Sequence, residues 1–151
     1  MAGIADSVWE RIVSDVRSVA DRAARAGART HDIEVTPQRV LLQVAFDDPQ
    51  RAALYMDYHR PSASVCGGFG EEDASFSDYP VTRDTLHWFS EIMHAVADGK
   101  VHADVFTLWG RTVHRCTTLD LGGVPTRFSS GFPLLERLPH LTIRRRTYQP
   151  W

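Results

Sequence analysis

The chain has 151 residues, of which 43% are hydrophobic and 10% aromatic. This composition is typical of a globular protein, and the length fits one domain, residues 1–151, that folds without metal or disulfide support. Seventeen basic and 19 acidic residues leave a formal charge of −2. A dedicated nucleic-acid-binding protein usually has a basic excess instead. No stretch approaches the roughly 20 apolar residues of a membrane-spanning helix.

The cysteines and the N-terminal segment indicate a compartment. Cys66 and Cys116 lie far apart and outside any C-x-x-C pattern, which favours free thiols in a reducing environment. Asp6, Glu10 and Asp15 occur before any apolar run long enough for a signal peptide. We therefore expect a cytoplasmic protein.

The first predicted element is a helix at about 7–26. Ser7 and Glu10 have capping-box spacing, and Gly27 is a plausible stop. Apolar residues recur at steps of three and four, which predicts one buried stripe. The stripe consists of Trp9, Ile12, Val16, Val19 and Ala23.

Strands are predicted next. Residues 33–35 lead into a turn that contains Pro37, and residues 40–46 alternate in the manner of a strand. The strand ends before Pro49, which lacks a backbone donor. Residues 52–60 alternate again, with Tyr55, Asp57 and His59 on one face. Residues 63–69 are a further candidate strand, loosened by two glycines.

Residues 70–80 contain acidic and small residues, which predicts a polar, acidic loop. A second helix is then expected to begin near Asp84, a favourable N-cap, and to end at Asp98-Gly99. Its predicted buried stripe consists of Leu86, Phe89, Met93 and Val96, with Ile92 beside it. Trp88 is expected at the edge of the core.

The last third predicts a strand meander. Gly122-Gly123 is a tight hairpin turn, because glycine adopts positive φ without steric cost. One helical turn is expected within 133–139. The predicted strands span 101–108, 112–121, 124–128 and 140–148. The expected fold class is α+β, a mostly antiparallel sheet with two main helices packed on one face.

The best candidate metal ligands lie in this meander. If the turn between its first two strands centres on Gly110, Asp104 faces Cys116, with His102 and His114 nearby on the same face. These side chains are acceptable zinc ligands. Alternation also brings such residues together by chance, and no spacing matches a specific zinc motif. We therefore predict neither a metal site nor a cofactor.

Two other constellations have ordinary structural explanations. Cys66 with His59 or His114 could form a nucleophile and base, but the glycines after Cys66 indicate a bulge rather than an activated thiol. Residues 144–146 are three arginines, and charge on an edge strand also prevents sheet-to-sheet aggregation.

Residues 85–128 carry a resemblance. They begin with Thr-Leu-His-Trp-Phe-Ser-Glu-Ile-Met-His and reach Asp-Gly-Lys-Val, and a strand, Trp-Gly-Arg, and a second strand ending in Leu-Asp-Leu-Gly-Gly-Val follow. This succession of helix and hairpin meander resembles the small immunity proteins of bacterial polymorphic-toxin and contact-dependent inhibition systems. The resemblance covers under a third of the chain.

The resemblance implies a cytoplasmic protein that binds one cognate toxin domain and blocks its active site. Such an inhibitor needs anchors and complementary charge rather than a catalytic group. The predicted contacts lie in the acidic loop, where carboxylates would face a basic toxin and two aromatic rings would be the apolar anchors. They are Glu71, Glu72, Asp73, Phe76, Asp78 and Tyr79.

Two alternatives remain open. In one, a curved sheet forms the pocket of a small binding protein or of a cofactor-independent isomerase- or hydratase-like enzyme. Its predicted lining is Tyr55, Asp57, His59, His102, Asp104 and His114. In the other, the chain is a homo-oligomeric structural protein, which a large apolar surface patch would favour.

Overall fold

The computed structural model describes residues 3–70, 74–131 and 136–151, which form two helices and nine strands. In chain order they are α1 (Asp6–Arg25), β1 (Thr30–Val35), β2 (Arg39–Ala45), β3 (Leu54–His59), β4 (Ser64–Phe69), β5 (Ser75–Pro80), α2 (Arg83–Ala97), β6 (Val101–Leu108), β7 (Arg111–Leu121), β8 (Val124–Gly131) and β9 (Thr142–Thr147).

The strands divide into two antiparallel sheets. The first sheet has five strands in the order β1-β2-β3-β4-β5, and the second has four in the order β8-β7-β6-β9. Consecutive strands of the first sheet are neighbours, as expected for a chain of hairpins. The predicted α+β class with antiparallel pairing is confirmed, and its strands form two sheets.

Both helices pack into one apolar core. Helix α1 contacts β1, β2 and α2, and α2 also contacts β7 in the second sheet. The predicted stripes are confirmed, since the apolar positions of each helix are buried. They are Trp9, Ile12, Val16, Val19 and Ala23 in α1, and Leu86, Phe89, Ile92, Met93 and Val96 in α2.

The helix starts differ from the prediction. Helix α1 begins at Asp6 after Ala5, without a side-chain cap. Arg60 instead anchors the chain at this end of the helix, because its Nε donates to the Ile4 carbonyl at 3.1 Å and its guanidinium pairs with Asp6. Helix α2 begins at Arg83, capped by Thr82 and not by Asp84. Thr82 and Thr85 satisfy each other's backbone amides, a reciprocal capping box.

The predicted acidic loop is wrong in its second half, where residues 75–80 form strand β5. Glycines opposite this segment explain the error, because their lack of side chains lets β5 pair closely with β4. A Cβ on Gly67 would lie 2.5 Å from Cζ of Phe76 and 2.8 Å from Sδ of Met56. Of the helical turn predicted within 133–139, residues 133–135 lie outside the described part of the chain.

The C-terminal residues connect the two sheets. Strand β9 lies in the second sheet, yet the Gln149 amide donates to the Gln50 carbonyl near the start of β3. The Trp151 amide donates to the Ala97 carbonyl at 2.8 Å, and its Nε1 donates to the Ala52 carbonyl at 3.0 Å. Its ring packs against Phe46, with centroids 5.3 Å apart. One residue thus contacts α2 and both ends of the β2–β3 connection.

Replacing Trp151 by alanine should lower the free energy of unfolding by about 2 kcal/mol, since a half-buried indole and its hydrogen bond are lost. Urea denaturation measures this. Trp109→Ala is the matched control, because Trp109 is 88% exposed, and it should change stability by less than about 0.5 kcal/mol. Equal losses in the two variants would contradict the role of Trp151.

Candidate functional site

The predicted partner-binding residues lie on and before the edge strand β5. Glu71, Glu72 and Asp73 fall outside the described residues. The other predicted residues, Phe76, Asp78 and Tyr79, are in β5. Within the described part of the chain, β4 is the hydrogen-bonded neighbour of β5, which leaves the other side of β5 as an edge of the sheet.

Strand β5 is irregular at its centre. Its pairing with β4 shifts register between the Gly67–Phe76 and Val65–Tyr79 partners, as at a β-bulge. Asp78 lies at the shift with φ of 50°, a left-handed conformation that aspartate tolerates better than most residues. Its amide donates to Sγ of Cys66 at 3.5 Å. The bulge therefore fixes Asp78 in an exposed position.

The two predicted aromatic anchors pack within the chain's own aromatic cluster, which consists of Phe76, Tyr79, Trp88, Phe89 and Phe128. Phe76 stacks on Phe89 with centroids 5.7 Å apart, and Tyr79 lies 5.3 Å from Trp88. Phe128 of β8 lies 6.4 Å from both Phe76 and Trp88, so the cluster also joins the two sheets.

The members of this cluster differ in exposure. Phe76, Trp88 and Phe128 are half-buried and Phe89 is fully buried, whereas Tyr79 remains 41% exposed. Phe76 therefore acts mainly as support inside the fold. The ring of Tyr79 packs against Trp88 and Phe89 and remains partly exposed to solvent. An exposed aromatic ring with such support is typical of an interface anchor.

A polar network lies on the outer face of the first sheet, and Arg39 is the member that sequence reasoning missed. Asp57 of β3 is only 5% exposed although this face carries no helix. Arg39 of β2 donates to both carboxylate oxygens of Asp57, each at 2.8 Å. Tyr55 donates its hydroxyl to Asp57 at 3.1 Å, and Nε2 of His59 lies 3.2 Å from the same oxygen.

The network shifts the titration of its members. The hydrogen bonds from Arg39 hold the pKa of Asp57 below its ordinary value, against the opposing effect of burial. Burial and the hydrogen bond to Asp57 raise the pKa of Tyr55. The carboxylate is therefore charged, neutralised by Arg39 and occupied by its partners. This arrangement stabilises a surface, and it does not supply a proton acceptor.

The prediction that Tyr55, Asp57 and His59 share one strand face is confirmed by these contacts. Cys66 is the cross-strand neighbour of Asp57, so the hypothetical nucleophile Cys66 and its candidate base His59 lie on one sheet face. The ring of His59, however, directs Nε2 to Asp57. Arg39 could not be foreseen in this network, because the pairing of β2 with β3 sets its position.

A cavity of about 720 Å³ lies beside the network on the same sheet. Uncharged side chains form its wall, among them Gln43, Tyr55, Cys66 and Ser75. Gly68 forms part of the floor. This volume is within the range of small-molecule sites.

The residues predicted as metal ligands lie on the second sheet. Asp104 faces Cys116 as expected, but Arg145 holds Asp104 through two hydrogen bonds of 2.7 and 2.9 Å. Arg127 donates to Sγ of Cys116 at 3.1 Å. The described residues contain no group of three or more His, Cys, Asp or Glu side chains placed to hold a metal ion.

His114 has a charged neighbour too. Its side chain is fully buried, and Nε2 lies 2.7 Å from Oε1 of Glu136, although neither ring nitrogen is aligned for a hydrogen bond with the described atoms. Asp104 and His114 are on the second sheet, whereas Asp57 and His59 are on the first. The six residues of the alternative pocket are thus divided between two sheets.

Comparison with known proteins found no matching family model and no significantly similar curated protein or solved structure. Among the described residues, no helix is both long and apolar enough to cross a membrane.

Asp57→Asn should lower the free energy of unfolding at pH 7 by about 2 kcal/mol, since the bidentate pair with Arg39 loses its charge. Because the pKa of Asp57 is lower in the folded than in the unfolded chain, this stabilisation is complete above the unfolded value of about 3.9. It disappears as pH falls through the folded value. Urea titrations between pH 7 and pH 3 should show the wild type and the variant converging in acid.

A constant difference between the two proteins across this range would contradict the linkage. Asp32→Asn is the control, because Asp32 lies exposed on the edge strand β1. That variant should stay within about 0.5 kcal/mol of the wild type at every pH.

Proposed function

We propose that this chain is an immunity protein, which binds a cognate bacterial toxin domain in the cytoplasm and inhibits it by covering its active site. Strand β5 would be the centre of the binding surface. The observation that carries the proposal is the exposure of the adjacent residues Asp78 and Tyr79 on an edge strand. The aromatic cluster beneath this strand packs into the core.

An edge strand is a ready-made contact for another protein. Its outward N–H and C=O groups can pair with an extended segment of a partner, while side chains beside it provide specificity. In β5, Pro80 and the bulge at Asp78 restrict such pairing to a few residues. A short, irregular edge favours one matching partner over general strand addition, as a dedicated inhibitor requires.

The packing of Tyr79 in the aromatic cluster supports tight binding. Tyr79 contacts Trp88 at 5.3 Å and Phe89 at 5.7 Å, which restricts its ring before any partner arrives. A preorganised anchor loses less conformational entropy on binding. Aromatic residues with such support are typical of the few positions that dominate the affinity of an interface.

Charge indicates the kind of partner. Asp78 is exposed in β5, and the sequence places Glu71, Glu72 and Asp73 just before this strand. Carboxylates grouped in this way accelerate association with a basic surface. A toxin with a basic active site, such as a nuclease or a nucleotide-consuming enzyme, fits this requirement.

The charged pairs of the outer faces are consistent with this role. Asp57 and Asp104 each accept two hydrogen bonds from an arginine. Carboxylates held in this way contribute rigidity and shape rather than proton transfer. The second candidate function is a small-molecule-binding protein, which the 720 Å³ cavity beside Tyr55 and Cys66 favours.

Co-expression tests the proposal. Under this proposal, the neighbouring open reading frame should encode a protein with a toxin-like C-terminal domain. That domain should arrest growth when produced alone and should be harmless when this chain is produced with it. The two proteins should purify as a stable 1:1 complex. Failure of both rescue and complex formation would contradict the proposed function.

Tyr79→Ala should weaken binding to that domain at least about 30-fold, which corresponds to about 2 kcal/mol for the loss of a central aromatic anchor. Calorimetry or surface plasmon resonance measures the change. Trp109→Ala is the control, because it removes an aromatic ring that is 88% exposed in the β6–β7 turn. Equal affinities of the two variants would exclude β5 from the interface.

Asp78→Asn should slow association about three- to tenfold, with a smaller effect at high salt, because it removes one steering charge. Asparagine also tolerates the left-handed backbone of this position. Asp32→Asn makes the same change on β1, at the opposite edge of the same sheet, and should leave the association rate unchanged. A rate for Asp78→Asn that matches the wild type would exclude steering through this residue.

A further inference from the structure

A second cavity, of about 660 Å³, lies in the other half of the molecule, between the second sheet and the loop after β2. Pro49 and Gln50 form its loop side. Strands β6, β7 and β9 form its sheet side, which carries a concentration of arginines. The lining residues are Pro49, Gln50, Val105, Thr107, Thr112, Arg115, Arg144, Arg145, Arg146 and Thr147.

Strand register directs three of these arginines to one face. Val105 of β6 pairs with Arg115 of β7 on one side and with Arg144 of β9 on the other. Arg146 pairs with Ala103, two residues from Val105 on the same face. Because side chains alternate along a strand, Arg145 points to the opposite face, where it binds Asp104.

The three arginines have different surroundings. The guanidinium of Arg146 donates to the Pro49 carbonyl and lies 5.1 Å from the centre of the Tyr148 ring, so its position is fixed. Arg115 is half-buried. Arg144 is exposed at the mouth of the cavity. The three arginines lie on β7 and β9, the two neighbours of β6, and their side chains are long enough to converge on one ligand.

The rest of the described wall suits an anion. It includes Thr107 and Thr112, which pair with each other across β6 and β7, and no carboxylate is among the lining residues that the structure describes. Guanidinium groups match phosphate oxygens in a fork of two parallel hydrogen bonds. Hydroxyl donors beside them complete a typical set of phosphate contacts.

We propose that this cavity binds a small molecule that carries a phosphate or diphosphate group, with the exposed Arg144 as its principal contact and Arg115 and Arg146 beside it. The site has a bounded volume, and the net charge of the chain is −2. Both features favour a small anion over a long nucleic acid, which needs a continuous basic track. The proposal is independent of the inhibitor role, since β5 belongs to the other sheet.

Protection of an edge strand does not account for this arrangement. Charges on β9 alone would discourage aggregation at that edge. Arg115, however, lies in β7, which is an interior strand of the second sheet. Its presence in the same cavity as Arg144 and Arg146 shows a cluster that crosses the sheet instead of following its edge.

Isothermal titration calorimetry of the full chain with inorganic pyrophosphate, at near-physiological salt, tests the proposal. The wild type should bind one pyrophosphate. Arg144→Gln should weaken this binding at least about tenfold, because a charged, two-pronged contact is lost. Arg144→Lys, which keeps the charge and loses the fork, should bind with intermediate affinity. Arg144 is exposed, so both variants should keep the unfolding midpoint of the wild type.

Arg83→Gln is the matched control, since it removes the same charge from an exposed position at the start of α2, outside the described lining of the cavity. It should bind pyrophosphate as the wild type does. Absence of binding by the wild type, or equal weakening in Arg144→Gln and Arg83→Gln, would overturn the proposal. Binding of a fluorescent single-stranded oligonucleotide without binding of pyrophosphate would also overturn it, in favour of a nucleic-acid surface.

Discussion

The two helices cover one face of the first sheet and leave its other face open, and α2 also contacts β7 of the second sheet. Strand β7 is buried on both faces, since residues 116–119 alternate between the faces and are all buried. Val40, Leu42 and Val44 illustrate the buried face of β2, where all three are at most 3% exposed. Arg39, between the turn and this run, lies on the opposite face and reaches Asp57. In the first sheet, this one-sided cover explains why polar contacts gather on the outer face.

The two sheets stay together through contacts at their margins. Phe128 of β8 packs edge-on against Phe69 of β4 with centroids 5.0 Å apart. Phe76 of β5 also packs against the ring of Phe128. At the other margin, Trp151 joins α2 to the β2–β3 connection. These aromatic contacts fix the position of β5, so the stability of the core and the shape of the proposed protein-binding surface depend on the same side chains.

The proposed protein interface and the proposed anion site differ in their physical basis. At β5, the exposed ring of Tyr79 and the carboxylate of Asp78 lie on an edge strand, an arrangement that suits a protein partner. Between β9 and residues 49–50, guanidinium groups surround a bounded cavity, which suits a small anion. Because the two regions lie on different sheets, one chain could bind both ligands at once.

Periodicity in the sequence determined the helices, most strands and the fold class, because a period of 3.6 or 2 is a local property that burial enforces. The same alternation placed Tyr55, Asp57 and His59 on one face. Only the tertiary structure decided which faces meet: the pairing of Arg39 with Asp57, of Arg145 with Asp104, and of Arg115 with Arg144 across β6 depends on strand register and order. Strand β5 was missed for the same reason, since it pairs with β4 only because Gly67 leaves room for Phe76.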